Sequence, residues 1–412
     1  MMKFSVEKLV HGSCRLGLIR EAGKNKSVTI ETPFCLLYTR AGSVPNLSID
    51  TLSYVQGLPP IAMMPLNLLA EHHESVEEYQ KGLAGFTAMK DFLVYCSLQD
   101  PSTPVPSGYN EKSNIALWTR GGKTKVDPEL FIKVQEAFKA DWIQCMGDAD
   151  TSKQSSKKRS RKAVDSSLIF LDELLQKRKT SKILQNAAIF GSVEGGFSVF
   201  DRNRSARETA ARGVDGFVIE GFQNDGKDFC QFEDESFTDV LSSTLKHLPE
   251  DKPRLMNAVW RPDAIMQAIR AGIDIFDTSY AFVTTGKGNA LVFSYDYEKL
   301  SVKPSDDGDL CLQASSLTSE CGYSINLNDS RFREDFSPIL EGCLCYTCKT
   351  YSRAYVNHLL NTTELQAGVL LMIHNLQHYL GFFSAVRQAL REEKFHLLES
   401  LINRQRAVSL ER

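Results

Sequence analysis

Short, near-continuously apolar runs recur along most of the chain, and a polar stretch with helical spacing follows most of them. Runs of this kind are typical of parallel strands, because helices cover both faces of a parallel sheet. The pattern predicts strands at residues 34–38, 61–64, 92–96, 142–146, 187–193, 216–219, 254–259 and 273–276. It predicts helices between them at residues 76–83, 128–138, 166–177, 202–212, 237–247 and 262–271.

Strands that alternate with helices in this way are typical of a closed (β/α)8 barrel, the TIM barrel. An open, doubly wound sheet carries the same alternation, so the periodicity leaves both α/β architectures open. Pro128 and Pro262 stand at the starts of two predicted helices. A fixed φ and a missing N–H suit the first turn of a helix, which supports both starts.

The chain changes character beyond residue 301. An irregular stretch rich in Ser, Asp and Asn comes first, and a cluster of cysteines follows it. Two long helical patterns then cover residues 363–379 and 382–409. We therefore predict a barrel over residues 1–335 and a zinc-binding subdomain with the C-terminal helices over residues 336–412.

Two insertions interrupt the predicted barrel. Residues 97–109 contain three prolines, which predicts a loop. Residues 151–162 read TSKQSSKKRSRK, a strongly basic run without apolar periodicity. This run predicts either a solvated, disordered loop or a contact with a phosphate backbone or an acidic lipid surface.

Composition narrows the class of protein. The 412 residues carry a net charge of −3, so any contact with nucleic acid must come from a local patch. We expect no signal peptide and no membrane span, since no run approaches about 20 apolar residues. A cytosolic, reducing location follows as the expectation, and there ten cysteines favour metal binding over disulfides.

Cys343, Cys345 and Cys348 fall within six consecutive positions, and His374 follows in the next predicted helix. Thiolates and a neutral imidazole are ligands that Zn²⁺ prefers, four of them in a tetrahedron. The spacing predicts one zinc ion that joins the cysteine turn to the helix. Its complete ligand set predicts a structural ion, since catalytic zinc keeps an open position. The alternative is three buried thiols and a core histidine without a metal.

Four carboxylates lie where a barrel of this kind carries its chemistry, at the C-terminal ends of the strands. They are Asp148, Glu194, Glu220 and Asp277, after the fourth, fifth, sixth and eighth predicted strands. Asp277 could attack an anomeric carbon, and Glu194 with Glu220 could do acid–base work in glycosyl transfer. The alternative for each residue is an exposed loop acid.

Several segments together resemble the tRNA-guanine transglycosylase family, also called queuine tRNA-ribosyltransferases. The resemblance covers most of the chain. Its most specific part is the zinc spacing, which matches at all four positions. The other matching segments are 14–17 (CRLG), 30–33 (IETP), 39–42 (TRAG), 195–196 (GG) and 272–277 (GIDIFD).

The resemblance implies a (β/α)8 barrel with an N-terminal hairpin and a zinc subdomain. It implies a dimer, because members of the family work as dimers. Family enzymes exchange guanine for queuine or a precursor at the wobble position of the tRNA anticodon, through a covalent aspartyl–ribose intermediate. Asp277 is the counterpart of the nucleophilic aspartate.

The catalytic face departs from the family pattern. The Asp-Ser-Gly-Gly-Phe-Gln segment expected after strand three reads YCSLQDP at 95–101, and the Asp-Glu pair expected after strand four reads MGD at 146–148. Glu194 replaces a glutamine, and Glu220 replaces a glycine that lets the base approach. A basic Pro-Thr-Arg segment reads FVTTGK at 282–287. The candidate nucleophile is kept, while its helper, base pocket and RNA clamp are lost.

These departures imply the non-catalytic, accessory type of subunit, which pairs with a catalytic homologue and helps to hold tRNA. Such a chain is no enzyme by itself, forms a weak homodimer when alone, and keeps Asp277 as a vestige. The resemblance also implies cytoplasmic residence with peripheral association at the mitochondrial outer membrane. Two alternatives stay open: an active transglycosylase that uses Asp277, and a glycosidase that uses Glu194, Glu220 or Asp277.

Overall fold

The computed structural model describes residues 2–10, 12–23, 28–222, 235–299, 301–304, 310–313 and 322–410. The chain forms two compact units. The barrel unit comprises Met1–Val44, Pro59–Trp260 and Gln267–Ser279. The C-terminal unit comprises Pro45–Leu58, Arg261–Met266 and Tyr280–Arg412.

The described strands are numbered in chain order. They are β1 (Lys3–Val10), β2 (Cys14–Arg20), β3 (Ile30–Thr32), β4 (Phe34–Tyr38), β5 (Ile61–Pro65), β6 (Leu93–Ser97), β7 (Ile115–Thr119), β8 (Gly122–Val126), β9 (Trp142–Gln144), β10 (Ala188–Val193), β11 (Gly216–Ile219), β12 (Arg254–Leu255), β13 (Ile275–Asp277), β14 (Asn289–Leu291), β15 (Ser301–Pro304), β16 (Leu310–Gln313) and β17 (Ser324–Asn326).

The described α-helices are numbered in the same way. They are α1 (Ile49–Leu52), α2 (His73–Tyr79), α3 (Gly82–Phe86), α4 (Pro128–Phe138), α5 (Lys157–Arg178), α6 (Val199–Ala211), α7 (Glu235–Leu245), α8 (Pro262–Ala271), α9 (Ser279–Gly286), α10 (Tyr346–Thr350), α11 (Arg353–Asn361), α12 (Leu365–Arg391) and α13 (Phe395–Leu410). Among these described helices, none combines the length and apolarity that a membrane crossing requires.

Parallel strands of the barrel unit close into a ring of eight. They follow the chain order β4, β5, β6, β9, β10, β11, β12 and β13, and β13 pairs with β4 to complete the circle. Every residue of β4, β5 and β10 is buried, as parallel strands covered on both sides require. The closed ring confirms the predicted (β/α)8 barrel and rules out the open sheet. An antiparallel sheet of β1, β2 and β3 precedes the ring and includes the expected N-terminal hairpin.

Two barrel strands are much shorter than the apolar runs that predicted them. The runs 142–146 and 254–259 contain only the strands β9 and β12. The connections that follow are buried as deeply as strands, as Met146 and Val259 show, so hydrophobicity alone could not mark the strand ends. The last strand, β13, is shifted and includes Asp277.

A hairpin that the sequence pattern did not predict lies between β6 and α4. Its strands β7 and β8 pair antiparallel, with Trp118 opposite Lys123. Lysines and glycine occupy most of β8, so the strand lacks an apolar signature. The segment 98–114 before the hairpin carries no helix or strand, as expected for the proline-rich insertion.

The basic run is a loop in its first half and a helix in its second. Helix α5 begins at Lys157, where the Ser156 hydroxyl caps it by accepting the N–H of Arg159 at 3.2 Å. The loop predicted over residues 151–162 is therefore wrong from residue 157 onward. The buried positions of these first turns are small, Ser160 and Ala163, so no large apolar residue revealed the helix.

The long helix α12 covers most of the helix predicted at residues 363–379 and the first part of the helix predicted at residues 382–409. Helix α12 continues through Gly381, where a Cβ atom would lie 2.5 Å from the Tyr295 hydroxyl oxygen. The glycine therefore marks a close approach and not a helix end. The break falls later, where Glu393 adopts a φ of 61°, and α13 follows.

The segment Pro45–Leu58 follows the first barrel strand but belongs to the C-terminal unit. The Gln56 backbone N–H donates to the Gln377 side-chain oxygen at 2.6 Å, and the Gln377 amide nitrogen donates to the Gln56 carbonyl at 3.3 Å. The ring of Tyr54 stacks on that of Tyr346, with centroids 4.4 Å apart. These contacts hold the segment on α12 and on the cysteine turn.

Candidate metal centre and barrel mouth

Three thiols and an imidazole converge in the C-terminal unit. The sulfur atoms of Cys343, Cys345 and Cys348 lie 3.8, 3.5 and 3.3 Å from His374 Nδ1. The four ligand atoms all lie within 4.8 Å of one another. A tetrahedral ion with bonds of about 2.3 Å to sulfur and about 2.0 Å to nitrogen separates these atoms by about 3.5 Å. The cluster therefore has the dimensions to hold one metal ion.

The proton on His374 lies on the side away from the thiols. Its Nε2 is 2.8 Å from the carbonyl oxygen of Leu291, which can only accept. The N–H is therefore on Nε2, and the lone pair of Nδ1 faces the three sulfurs. This is the tautomer that a metal ligand requires, fixed by a backbone contact.

The short helix α10 orients the cysteine turn. Cys345 caps this helix, and its sulfur accepts the N–H of Cys348 at 3.3 Å. Thr347 donates from its hydroxyl to the carbonyl of Leu370 at 2.7 Å. The turn is thus attached to α12, the helix that supplies His374.

A row of aromatic rings crosses the surface beside the cysteine turn. The aromatic row consists of Tyr54, Tyr346, Tyr351, Tyr355 and His358, and successive centroids lie 4.4, 5.9, 5.5 and 6.5 Å apart. Tyr54 is 47% exposed and Tyr355 39%. Sequence reasoning missed this row. The spacing of Tyr351, Tyr355 and His358 is the one signal of the row in the local sequence. Tyr54 is distant from these residues in the sequence and contacts the row only in the folded structure.

Asp277 lies in the mouth of the barrel and is completely buried. One carboxylate oxygen accepts the N–H of Ser279 at 2.8 Å, and the other accepts the N–H of Ala258 at 3.1 Å. Burial raises the pKa of Asp277 to about 7, against these two hydrogen bonds, which lower it. The carboxylate therefore holds two backbone segments in place, and the exposed-acid alternative is wrong for it.

Asp148 is buried and ion-paired. Arg159 reaches it with two nitrogens, at 2.7 and 2.5 Å, and the Asn110 amide donates to it at 2.8 Å. Arg159 comes from the basic run, so part of that run serves the interior of the barrel unit. Sequence reasoning placed Asp148 correctly at the mouth but missed its partner.

Glu194 and Glu220 form a second buried pair in the mouth. The carboxyl group of Glu194 has that of Glu220 as its hydrogen-bonding neighbour, and no other N–H or O–H group among the described residues donates to its oxygens. Burial, and then the charge of Glu220, raise the pKa of Glu194, and burial raises the pKa of Glu220. Two adjacent carboxyl groups in an apolar site do not both ionise, so the pair retains a proton at neutral pH.

Arg202 is the buried cation beside this pair, and sequence reasoning missed it. Its guanidinium donates to the carbonyls of Gly196 at 2.9 Å and Val193 at 2.5 Å, and to the carbonyl of Glu220. The ring of Phe222 lies 3.9 Å from the guanidinium carbon. Burial lowers the pKa of Arg202 to about 10, so the group stays charged and balances the Glu194–Glu220 pair.

Backbone encloses the Glu194 carboxyl group on two sides. A Cβ atom on Gly147 would lie 2.6 Å from one carboxyl oxygen, and a Cβ atom on Gly221 would lie 3.3 Å from the other. The Glu194 carboxyl group therefore has no room for a methyl group at Gly147. The structure does bring Glu194 and Glu220 together, as acid–base work would need, but it buries both of them.

Asp100 also belongs to the mouth, although sequence reasoning treated it only as part of a loop. Its carboxylate accepts hydrogen bonds from the hydroxyls of Tyr38, Ser102 and Thr103 at 2.6, 2.8 and 2.8 Å. Its charge contributes to the raised pKa of Asp277. Like the other four acids of the mouth, Asp100 is buried and faces groups within the protein.

Comparison with known proteins finds similarity over nearly the full length of the chain. A family model described as queuine tRNA-ribosyltransferase matches residues 12–407. The human queuine tRNA-ribosyltransferase accessory subunit 2 is 42% identical over 419 residues, which cover 98% of this chain and 100% of that protein. The proteins of the same name from Gallus gallus and Drosophila mojavensis are 42% and 31% identical, and the matches cover 95% and 98% of this chain and 95% and 92% of those proteins.

Proposed function

The chain belongs to the queuine tRNA-ribosyltransferase family, and on this premise we propose that it is the non-catalytic accessory subunit of a heterodimeric queuine tRNA-ribosyltransferase. In this role it dimerises with a catalytic homologue and helps to hold tRNA while guanine is exchanged for queuine at the wobble position. The observation that carries the proposal is the full-length similarity to proteins named accessory subunit 2.

The barrel mouth supports the same conclusion on chemical grounds. Glycosyl exchange needs an available nucleophile, a positioned acid and a site shaped for the base. Asp277 holds two backbone N–H groups, Asp148 holds Arg159, and Glu194 is enclosed against Gly147. Each would have to break these contacts to reach a substrate. The mouth therefore favours the accessory role over the active transglycosylase and over the glycosidase.

The direct test measures queuine incorporation into tRNA by the purified chain, by its catalytic homologue and by the mixture. We expect no incorporation by the chain alone and full activity from the mixture. Asp277→Ala, and the isosteric Asp277→Asn, should leave the activity of the mixture nearly unchanged. Turnover by the chain alone that disappears in Asp277→Asn would establish the active alternative instead.

We propose that Cys343, Cys345, Cys348 and His374 bind one structural Zn²⁺. The distances and the tautomer of His374 support this assignment. The ion would complete a tetrahedron and join the cysteine turn to α12, with no open position for a substrate. Its contribution is to the stability of the C-terminal unit.

We propose that the aromatic row binds the catalytic homologue. Aromatic residues are enriched in the cores of protein interfaces and among the residues that dominate binding energy. The rings of the row are held by stacking on one another, so binding would cost little conformational entropy. Leu344, beside Cys343, adds an apolar side chain that is 73% exposed. A weak homodimer of the chain alone would use the same row.

Tyr355→Ala tests this interface. We expect the heterodimer to dissociate at least tenfold more readily, a loss of roughly 1–2 kcal/mol, as measured by sedimentation equilibrium. Tyr79→Ala is the matched control, because Tyr79 is equally exposed but lies on the barrel unit. Equal affinities for the two variants would remove the aromatic row from the interface.

We also propose, on family resemblance alone, that the heterodimer resides in the cytoplasm and associates peripherally with the mitochondrial outer membrane. A peripheral contact of this kind is released by high salt or alkaline washing of the organelle. Fractionation of cells before and after such a wash tests it. Protein found only in the soluble fraction would contradict the membrane association.

A further inference from the structure

The cations of the basic run lie on two sides of the first turns of α5. On the inward side, Arg159 pairs with Asp148, and the Lys162 ammonium donates to the carbonyl of Asn110 at 3.3 Å. On the outward side, Lys157, Lys158 and Arg161 are exposed, and none of them has an ion-pair partner among the described residues. The inward cations therefore serve the fold, while the outward three are available to a partner.

The segment beside these turns adds aromatic rings and another cation. Tyr109 is 44% exposed, its ring meets that of Trp118 edge-on at 5.3 Å, and the Lys123 ammonium lies 4.6 Å from its centroid. The next residue, Asn110, contacts both Asp148 and Lys162. These hydrogen bonds attach the backbone beside Tyr109 to the first turns of α5, while the Tyr109 ring itself packs against Trp118 and Lys123.

We propose that this basic face, formed by Lys157, Lys158 and Arg161 with Tyr109 and Lys123, binds the phosphate backbone of tRNA. Tyr109 would offer its ring to an unpaired base, as aromatic residues do in sites for single-stranded nucleic acid. The proposal rests on the proposed function and assigns its RNA contact to particular residues.

The structure favours RNA over an acidic membrane as the partner. A helix that lies on a membrane needs an apolar side to insert between the lipids. Most apolar residues of α5, including Phe170, Leu171 and Leu174, are buried in the barrel unit. Ile169 is 41% exposed, but one such residue does not make an apolar side. Fixed cations beside an exposed ring suit a phosphodiester chain that carries bases.

A contact of this kind has a measurable signature. Each phosphate neutralised by a lysine or arginine releases a counterion, so affinity falls with salt by a slope of about 0.7–0.9 per contact on logarithmic axes. Contacts to the backbone carry no sequence information. The basic face should therefore strengthen binding to all tRNAs alike and leave the choice of anticodon to the catalytic homologue.

The experiment measures tRNA binding by the heterodimer at several salt concentrations. The variant Lys157→Gln/Lys158→Gln/Arg161→Gln should lower the salt slope by about two to three and weaken binding at low salt at least tenfold. The matched control is Lys177→Gln/Lys179→Gln/Lys182→Gln, which removes the same charge at the other end of α5 and should leave the slope unchanged. Tyr109→Ala should weaken binding about fivefold or more, with little change in slope.

Equal slopes for the two triple variants would overturn the proposal. So would a loss of binding to phosphatidylserine vesicles, but not to tRNA, in the first variant. The accessory function is judged separately, by whether the wild-type chain enables queuine incorporation by its homologue. An active heterodimer with an unaffected slope would refute only the basic face, and an inactive one with a lowered slope would refute only the accessory function.

Discussion

The barrel mouth and the cysteine cluster are both concentrations of reactive side chains, and they are organised in opposite ways. In the cluster, four ligand atoms lie within 4.8 Å of one another and present lone pairs to a common centre. In the mouth, each acid meets a cation, a backbone N–H or another acid within the protein. The cluster is suited to bind an ion from outside the protein, whereas the acids of the mouth face groups of the protein itself. Reactive residues at the end of a barrel are therefore no evidence of catalysis until their partners are known.

The largest expected effect is the loss of the metal. His374→Ala should abolish metal binding and unfold the C-terminal unit, because zinc sites of this type contribute on the order of 10 kcal/mol to folding. Metal analysis by mass spectrometry should give about one equivalent of zinc per wild-type chain and none for the variant. Cys145→Ala is the control, since Cys145 is a buried free thiol outside the cluster. A metal-free His374→Ala protein with unchanged thermal stability would contradict the assignment.

The dependence of stability on pH should differ between the two regions. Asp277 has a pKa of about 7 in the folded protein and an ordinary value of 3.8, so the unfolded chain loses this proton first as pH rises. Stability from the mouth should therefore fall by about 4 kcal/mol between pH 4 and pH 7. The raised pKa values of Glu194 and Glu220 act in the same direction. The metal cluster acts in the opposite direction, because its thiols must lose protons to bind the ion.

The variant Asp277→Asn separates the contribution of the barrel mouth to this pH dependence from that of the metal cluster. Its amide cannot ionise, so the difference in unfolding free energy between variant and wild type should shift by several kcal/mol in favour of the variant from pH 5 to pH 8. Urea unfolding followed by tryptophan fluorescence measures this difference at each pH. A difference that does not change with pH would mean that Asp277 is ionised throughout this range and that burial does not raise its pKa.

The smallest expected effects concern Glu194. Glu194→Gln removes a carboxyl group whose ionisation is disfavoured by burial and by Glu220, and it leaves Glu220 to balance Arg202. We therefore expect the variant to gain stability relative to the wild type, and to gain more at pH 8 than at pH 5. Gly147→Ala places a methyl group against the Glu194 carboxyl and should cost roughly 1–3 kcal/mol. Urea unfolding measures both. Destabilisation by Glu194→Gln would show that Arg202 requires both carboxylates.

The sequence was sufficient to predict the parts of the molecule whose cause is local. The cysteine spacing already restricts the ligands to one short turn, and the alternation of apolar runs already contains the order of the barrel strands. The order alone is compatible with an open sheet as well, and it is the pairing of β13 with β4 in the structure that closes the ring.

The contacts that decide the character of the mouth could not be predicted. Arg202 acquires its role from three carbonyls on the turns after β10 and β11, and Tyr54 joins the aromatic row from the other end of the chain. Such pairs depend on tertiary packing, which periodicity does not contain. For the same reason, buried connections could not be distinguished from strands by their hydrophobicity.

The two hydrogen bonds between Gln56 and Gln377 have a consequence for the order of synthesis. Residues 45–58 leave the ribosome early, yet their partners on α12 are among the last to be made. The barrel likewise closes only when β13 reaches β4. Neither unit can be completed from the N-terminal half of the chain, so one edge of β4 lacks its partner until β13 has been made, and residues 45–58 lack theirs until α12 has been made.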